Sequence, residues 1–275
     1  MLAGAFSGAL WTLLGSLIVL AGAFVYVTLI RQINARHTMA NAEIDAAPRK
    51  TFGLPEAFLA TGLVLFLLMN VTASLGRRSP IQLGSRDLFV NFLFTLFIVF
   101  FVAAFLKLRG IDIDSLGGFS RTSLKRALST AVVLLFAATP LILLAEALTQ
   151  NAFGSGSSKQ EIVDLFNSSH TIGQRVMIIV LAVVVAPISE EFIFRFFIYG
   201  VCRRYFGITA GLVFNSLLFA AAHAHLPSAA PLFVLGGCFT LAYEWSGSIL
   251  VCMAMHALFN SVQLIFLAFP ELVQQ

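Results

Sequence analysis

The sequence predicts an all-α fold, a polytopic membrane helix bundle of about eight transmembrane helices. Three observations carry that prediction. Apolar residues make up 59% of the 275-residue chain and charged ones only 11%, whereas a soluble domain has about 25% charged residues. The mean hydropathy is +0.93. The apolar residues also fall into eight runs, most of them near the ~20 residues a helix needs to cross a bilayer, with the charges gathered in the connectors.

The spans are expected at residues 10–30, 57–75, 88–106 and 127–148 in the first half, and at 176–202, 209–225, 229–245 and 248–269 in the second. The first has no basic n-region and exceeds the usual h-region length, so it reads as a span and not a cleaved signal peptide. The run 176–202 is long enough to tilt or protrude. No internal repeat or second soluble domain is evident. Three parts follow: an N-terminal membrane region (1–150, spans 1–4), a loop (151–172), and a second membrane domain (173–270, spans 5–8). Within the loop, residues 154–158 are Gly/Ser-rich and flexible in composition. At 160–166, Ile162, Leu165 and Phe166 share one helical face, the pattern of an interfacial helix.

Basic residues orient the chain. Arg31, Arg36, Arg49, Lys50, Lys107, Arg109, Arg121, Lys125, Arg126, Arg203 and Arg204 fall on one side; Arg77, Arg78, Arg86, Lys159 and Arg175 fall on the other. The positive-inside rule then puts both termini outside the cytoplasm. These loops account for the net charge of +4, and nothing in it calls for nucleic acid. Cys202, Cys238 and Cys252 are odd in number and lack CxxC spacing, so they read as small packing residues.

Function is concentrated in three polar motifs inside apolar segments: Glu190-Glu191-x-x-x-Arg195, Phe219-x-x-x-His223 and His256-x-x-x-Asn260. A charged residue at the centre of a spanning helix costs roughly 2.5–3.5 kcal/mol, so such groups must face the bundle interior and satisfy one another. Glu191 and Arg195, four apart, share a helix face in the favourable order for an ion pair. Glu190 points about 100° away and lacks that partner, which leaves it poised to take up a proton as a general base. Pro187 removes a backbone donor and is expected to kink the helix, opening room for water beside Ser189 and Glu190.

His223 lies one turn after Phe219, whereas His225 is rotated about 200° from His223. The two can share a site only if the helix ends between them, which Pro227 allows. His256 and Asn260 share a face, able to bind an anionic oxygen, fix a water or act as interhelical hydrogen-bonding glue. One Glu with two His can activate water, directly or through a metal.

In that order, the three motifs resemble the CPBP (Abi) family, intramembrane proteases related to the type II CAAX prenyl endopeptidase. The resemblance covers roughly the last third of the chain. It implies a membrane-embedded hydrolase that cleaves a membrane-anchored peptide or protein, prenylated CAAX proteins among its substrate types, with the lipid bilayer as its other partner. It makes Glu190 the water-activating base, with His223 sharing that role. Glu191 and Arg195 then hold the site together, and His256 and Asn260 stabilise the oxyanion.

Family members are often described as metalloproteases. In that alternative Zn²⁺ is the cofactor and Glu190, His223 and His256 are its three ligands, with one position open; in the other, no cofactor is needed. Phe196 departs from the pattern, since many members carry Gly directly after the Arg. The expected setting is an integral multi-pass protein of a prokaryotic plasma membrane. Two other readings stand beside this one. One is a non-catalytic interaction or immunity protein of the same fold; the other is a transporter with a buried Glu/Arg ion path, which lacks support from any inverted repeat.

Overall fold

The computed structural model describes residues 2–42, 51–75, 85–153, 171–269 and 271, which are helical apart from short connectors and contain no strand. The interfacial helix expected at 160–166 lies outside the described residues, as do Arg49, Lys50, Arg77, Arg78 and Lys159. The elements are α1 (Leu2–Ala42), α2 (Leu54–Leu75), α3 (Ser85–Leu108), the short α4 (Ile113–Gly117) and α5 (Leu124–Phe153). A long helical stretch follows: α6 (Ile172–Val180), a π-helical turn (Leu181–Val185), α7 (Ala186–Glu191), a second π-helical stretch (Phe192–Ile198) and α8 (Tyr199–Ala222), which is broken at Gly207. A 3₁₀ turn (Leu226–Ser228), α9 (Ala229–Ser246) and α10 (Ile249–Ala268) come next.

Among the described residues, seven helical stretches are long and apolar enough to cross a membrane, and the chain is an integral membrane protein. The longest stretch, Ile172–Ala222, contains two of the expected spans. They part at Gly207, whose φ of 81° and ψ of 174° break α8. The chain reverses there: a Cβ built on Gly211 would sit 3.1 Å from the backbone nitrogen of Arg203. Eight residues of straight helix would hold those positions about 12 Å apart. A left-handed φ of this kind suits glycine, which has no Cβ to clash.

Several connectors are shorter than the sequence suggests. Helix α1 runs on to Ala42, through Arg31 and Arg36, and the basic connector after α3 holds α4 and a 3₁₀ turn, Phe119–Arg121. Aspartate caps α4: Asp112 accepts from the Ser115 amide at 3.2 Å. Glu56, also unread at the sequence level, is buried where α2 begins. It accepts from the Gly53 amide at 2.7 Å and from Arg109 Nε at 3.0 Å, tying α2 to the end of α3.

Close helix contact uses small residues, as expected where apolar side chains gain little by leaving lipid. Gly22 of α1 packs on the Ala137 carbonyl of α5, and a Cβ there would collide with that oxygen. Tyr26 donates to the Leu134 carbonyl at 2.9 Å across the same interface. The core surrounds residues 191–199, every one of which is buried. Phe196 fills space between this stretch and residue 52: its ring lies 5.8 Å from Phe52 and stacks on Phe192 at 5.1 Å. The three cysteines are buried and free.

Candidate active site

Proline shapes the site. Pro187 has no N–H to give, and the preceding Ala186 amide bonds back five residues to Leu181. Neither amide therefore reaches the carbonyl of Ala182. That orphaned oxygen, costly inside a membrane, is taken by Asn260 of α10, whose Nδ2 donates to it at 2.7 Å. The expected kink at Pro187 is thus a π-helical turn, a common way for a helix to accommodate a functional site.

One turn on, Glu191 and Arg195 form the expected pair, Arg195 Nη1 to Glu191 Oε1 at 2.9 Å, with both side chains fully buried. The same oxygen accepts from His256 Nδ1 at 2.8 Å. Arg195 reaches further, from Nη2 to the Gly236 carbonyl at 3.4 Å. Its guanidinium lies 4.1 Å from the centre of the Phe219 ring and 5.2 Å from that of Phe239, within cation–π range. Glycine at 236 permits this: a Cβ there would meet Phe219 at 3.1 Å and Arg195 Nη2 at 3.5 Å. Counting ~1.5 Å per residue, Arg195, Gly236 and His256 each lie about 10–12 Å inside the end of the bundle marked by Arg203, Glu244 and Ile249, a common depth.

Phe219 is the hub of the cluster. Its ring meets His223 edge-on at 4.8 Å, His256 at 6.0 Å and Phe194 at 5.5 Å. Phe239, on the other side, stacks on His256 at 5.1 Å. The two imidazoles are therefore fixed by aromatic walls as well as by hydrogen bonds.

Those hydrogen bonds determine tautomers. His223 Nδ1 lies 2.8 Å from the Phe219 carbonyl, an oxygen that only accepts, so Nδ1 carries the proton and neutral Nε2 offers its lone pair. His256 Nδ1 faces Glu191 Oε1, which already accepts from Arg195 and so bears no proton itself. Here too Nδ1 donates, and Nε2 is the free atom.

The helix ends at Ala222, and Ala224 adopts a left-handed φ of 49°, so the 200° separation expected between His223 and His225 does not apply. His225 Nδ1 instead meets Ser228 Oγ at 2.8 Å in the turn before α9. Glu190 stands apart from all of this. Its Oε2 is buried and has no hydrogen-bond partner.

A zinc site does not fit. Among the described residues no group of three His, Cys, Asp or Glu side chains is gathered to hold a metal ion. Of the three expected ligands, Glu190, His223 and His256, the last is bonded to Glu191 through Nδ1, which leaves its Nε2 lone pair free and does not itself oppose metal binding. Only the zinc alternative grouped His256 with Glu190; the carboxylate that His256 meets is Glu191.

Sequence reasoning missed Gly236 and Phe239. A Gly236-Gly237 pair inside an apolar span was the available signal, since small residues in such spans mark close helix approach.

Residues 172–262 match the family model described as type II CAAX prenyl endopeptidase Rce1-like. Comparison with curated proteins and with solved structures returns no match. The matched segment contains all three motifs. Through it, the last third of the chain is similar to the Rce1-like type II CAAX prenyl endopeptidases.

Proposed function

We propose that the protein is an intramembrane endopeptidase that hydrolyses a peptide bond in a membrane-anchored, CAAX-type protein, using Glu190 and His223 to activate water. The observation that carries this reading is the contrast between adjacent carboxylates. Glu191 Oε1 is occupied by Arg195 and His256, whereas Glu190 has no hydrogen bond or ion pair with any described residue; the Oε2 atoms of both are buried and unpartnered. A structural role would give both carboxylates partners; a base needs one left open.

In this mechanism Glu190 takes a proton from water, and the water oxygen bonds to the scissile carbonyl carbon. The carbonyl oxygen becomes an oxyanion. As the C–N bond breaks, Glu190 returns the proton to the departing amine. His223 Nε2, presented as a lone pair, shares the base role. The second N–H of the Asn260 amide is available to the oxyanion while the first holds Ala182. His256 contributes a donor there only when its ring is doubly protonated, because its neutral tautomer offers a lone pair at Nε2. Residues 173–270 form the catalytic membrane domain, with spans 1–4 packed around it.

The test is cleavage by purified full-length protein in detergent, followed by mass spectrometry. The substrates are a prenylated CAAX peptide, its unprenylated twin and a transmembrane peptide, each with and without a strong chelator. Cleavage of the prenylated peptide is expected, surviving the chelator and abolished by Glu190→Gln. Full activity of Glu190→Gln would overturn the assignment of the base, and loss of activity to the chelator would overturn direct activation of water. No cleavage of any peptide by well-folded protein would favour a non-catalytic role.

A further inference from the structure

At the end of the bundle where the basic connectors meet, a cavity of about 390 Å³ opens between α1, α4, α8 and α9. Arg36, His37, Arg121, Arg203, Glu244 and Trp245 line it. Three arginines against one glutamate leave it net positive. Glu244 is already occupied: Arg203 Nη2 binds its Oε1 at 3.0 Å and the Tyr199 hydroxyl donates to its Oε2 at 2.9 Å. Arg36 is held in place by a bond to the Trp245 carbonyl at 2.7 Å.

The Arg121 guanidinium differs from these, having no hydrogen bond or ion pair with any described residue. It lies across Gly247, where a Cβ would stand 2.8 Å from its Nη1, and the left-handed φ of 64° at Gly247 makes that bare backbone available. Its level in the bundle is informative. Candidate spans end at Met39 and Ser246 and one begins at Ile249, so the cavity lies where apolar helices give way to polar connectors. Trp245 at its wall has the amphipathic character of side chains found at the bilayer interface, and its indole N–H bonds Gln32 at 2.7 Å.

We propose that this cavity binds the headgroup phosphate of an anionic glycerophospholipid, with Arg121 as the principal ligand and Arg36 and Arg203 as flanking cations. Basic pockets between membrane helices at headgroup level are suited to this, because each arginine near an anionic surface contributes attraction and a guanidinium fork matches phosphate oxygens. A free phosphate ion offers the same chemistry. The location at the ends of lipid-facing helices favours the lipid.

The site can be read through Trp245, since the chain has two tryptophans and the other, Trp11, is an exposed residue far along α1. Full-length Trp11→Phe protein in detergent is titrated with short-chain phosphatidylglycerol, with short-chain phosphatidylcholine and with inorganic phosphate. Fluorescence is recorded, and retained lipid is counted by native mass spectrometry. Phosphatidylglycerol is expected to bind saturably and phosphatidylcholine not. Arg121→Gln should weaken binding by about fivefold or more, and Lys125→Gln, which removes an exposed charge outside the cavity, should not. Equal binding of both lipids, equal loss in Lys125→Gln, unchanged binding in Arg121→Gln, or neither signal nor retained lipid would overturn the proposal. Inorganic phosphate that reproduces the signal and blocks phosphatidylglycerol would assign the cavity to a free anion instead.

Discussion

Asn260 donates its side-chain amide to the backbone carbonyl of Ala182, 78 residues earlier, at the point where Pro187 and a π-helical turn leave that oxygen without an amide. The two residues are coupled through a missing N–H. Asn260→Ala should therefore lower thermal stability, by about 1 kcal/mol for one interhelical hydrogen bond in a membrane. In a Pro187→Ala background, where a backbone N–H returns, the cost should shrink. A double-mutant cycle on thermal unfolding in detergent measures the coupling. Additive effects would mean that Asn260 does not serve Ala182, and turnover lost by 10²–10³ with stability intact would assign it to the oxyanion alone.

Adjacent glutamates should respond differently to the same substitution. Glu190→Gln removes a carboxylate with no structural partner, so activity should fall to background while the protein stays folded. Glu191→Gln leaves Arg195 and His256 sharing a neutral oxygen in a fully buried setting, and breaking a buried pair costs about 3–5 kcal/mol. Activity assays with thermal denaturation of both variants check this. Equal loss of stability in the two would refute the division of roles.

Gly236 and Gly237 provide a local contrast. Gly236 faces Phe219 and Arg195, whereas a Cβ on Gly237 would meet only the Ser216 hydroxyl, at 3.6 Å. Gly236→Val should displace the guanidinium from its aromatic bed and abolish activity, while Gly237→Ala keeps most of it. Comparable activity in the two variants would show that the close approach of α9 is dispensable.

His223 and His225 should separate in the same way. His223→Ala removes an imidazole that stands on Phe219 and offers Nε2, so kcat should collapse. His225→Ala loses a bond to Ser228 in a turn and should retain most activity, with a small fall in thermal stability. Steady-state kinetics of both variants decide it; the reverse order would move the site to the turn.

Much of the fold could be read directly from hydropathy, because a span must be apolar throughout and a reversal needs a breaker such as Gly207. The Glu191–Arg195 pair was legible for a related reason: both residues sit on one helix, where spacing alone fixes geometry. What escaped reading depends on which helices touch. The bond from His256 to Glu191 joins α10 to α7, and the Ala182 carbonyl has no side chain to announce it. Phe239 looked like any other apolar residue until Arg195 and His256 were found against its ring.

The reversal at Gly207 has a consequence for biosynthesis. With almost no connector, the helical stretch that carries Glu191 and Arg195 and the following span that carries Phe219 emerge from the ribosome as one hairpin. The carboxylate and guanidinium are four residues apart on a single helix, so they can neutralise each other before any later helix exists, and Phe219 can cover the cation as soon as the hairpin closes. Only His256, on a later span, arrives after them. The charged centre is thus assembled largely by its own hairpin, and a helix synthesised later completes the constellation.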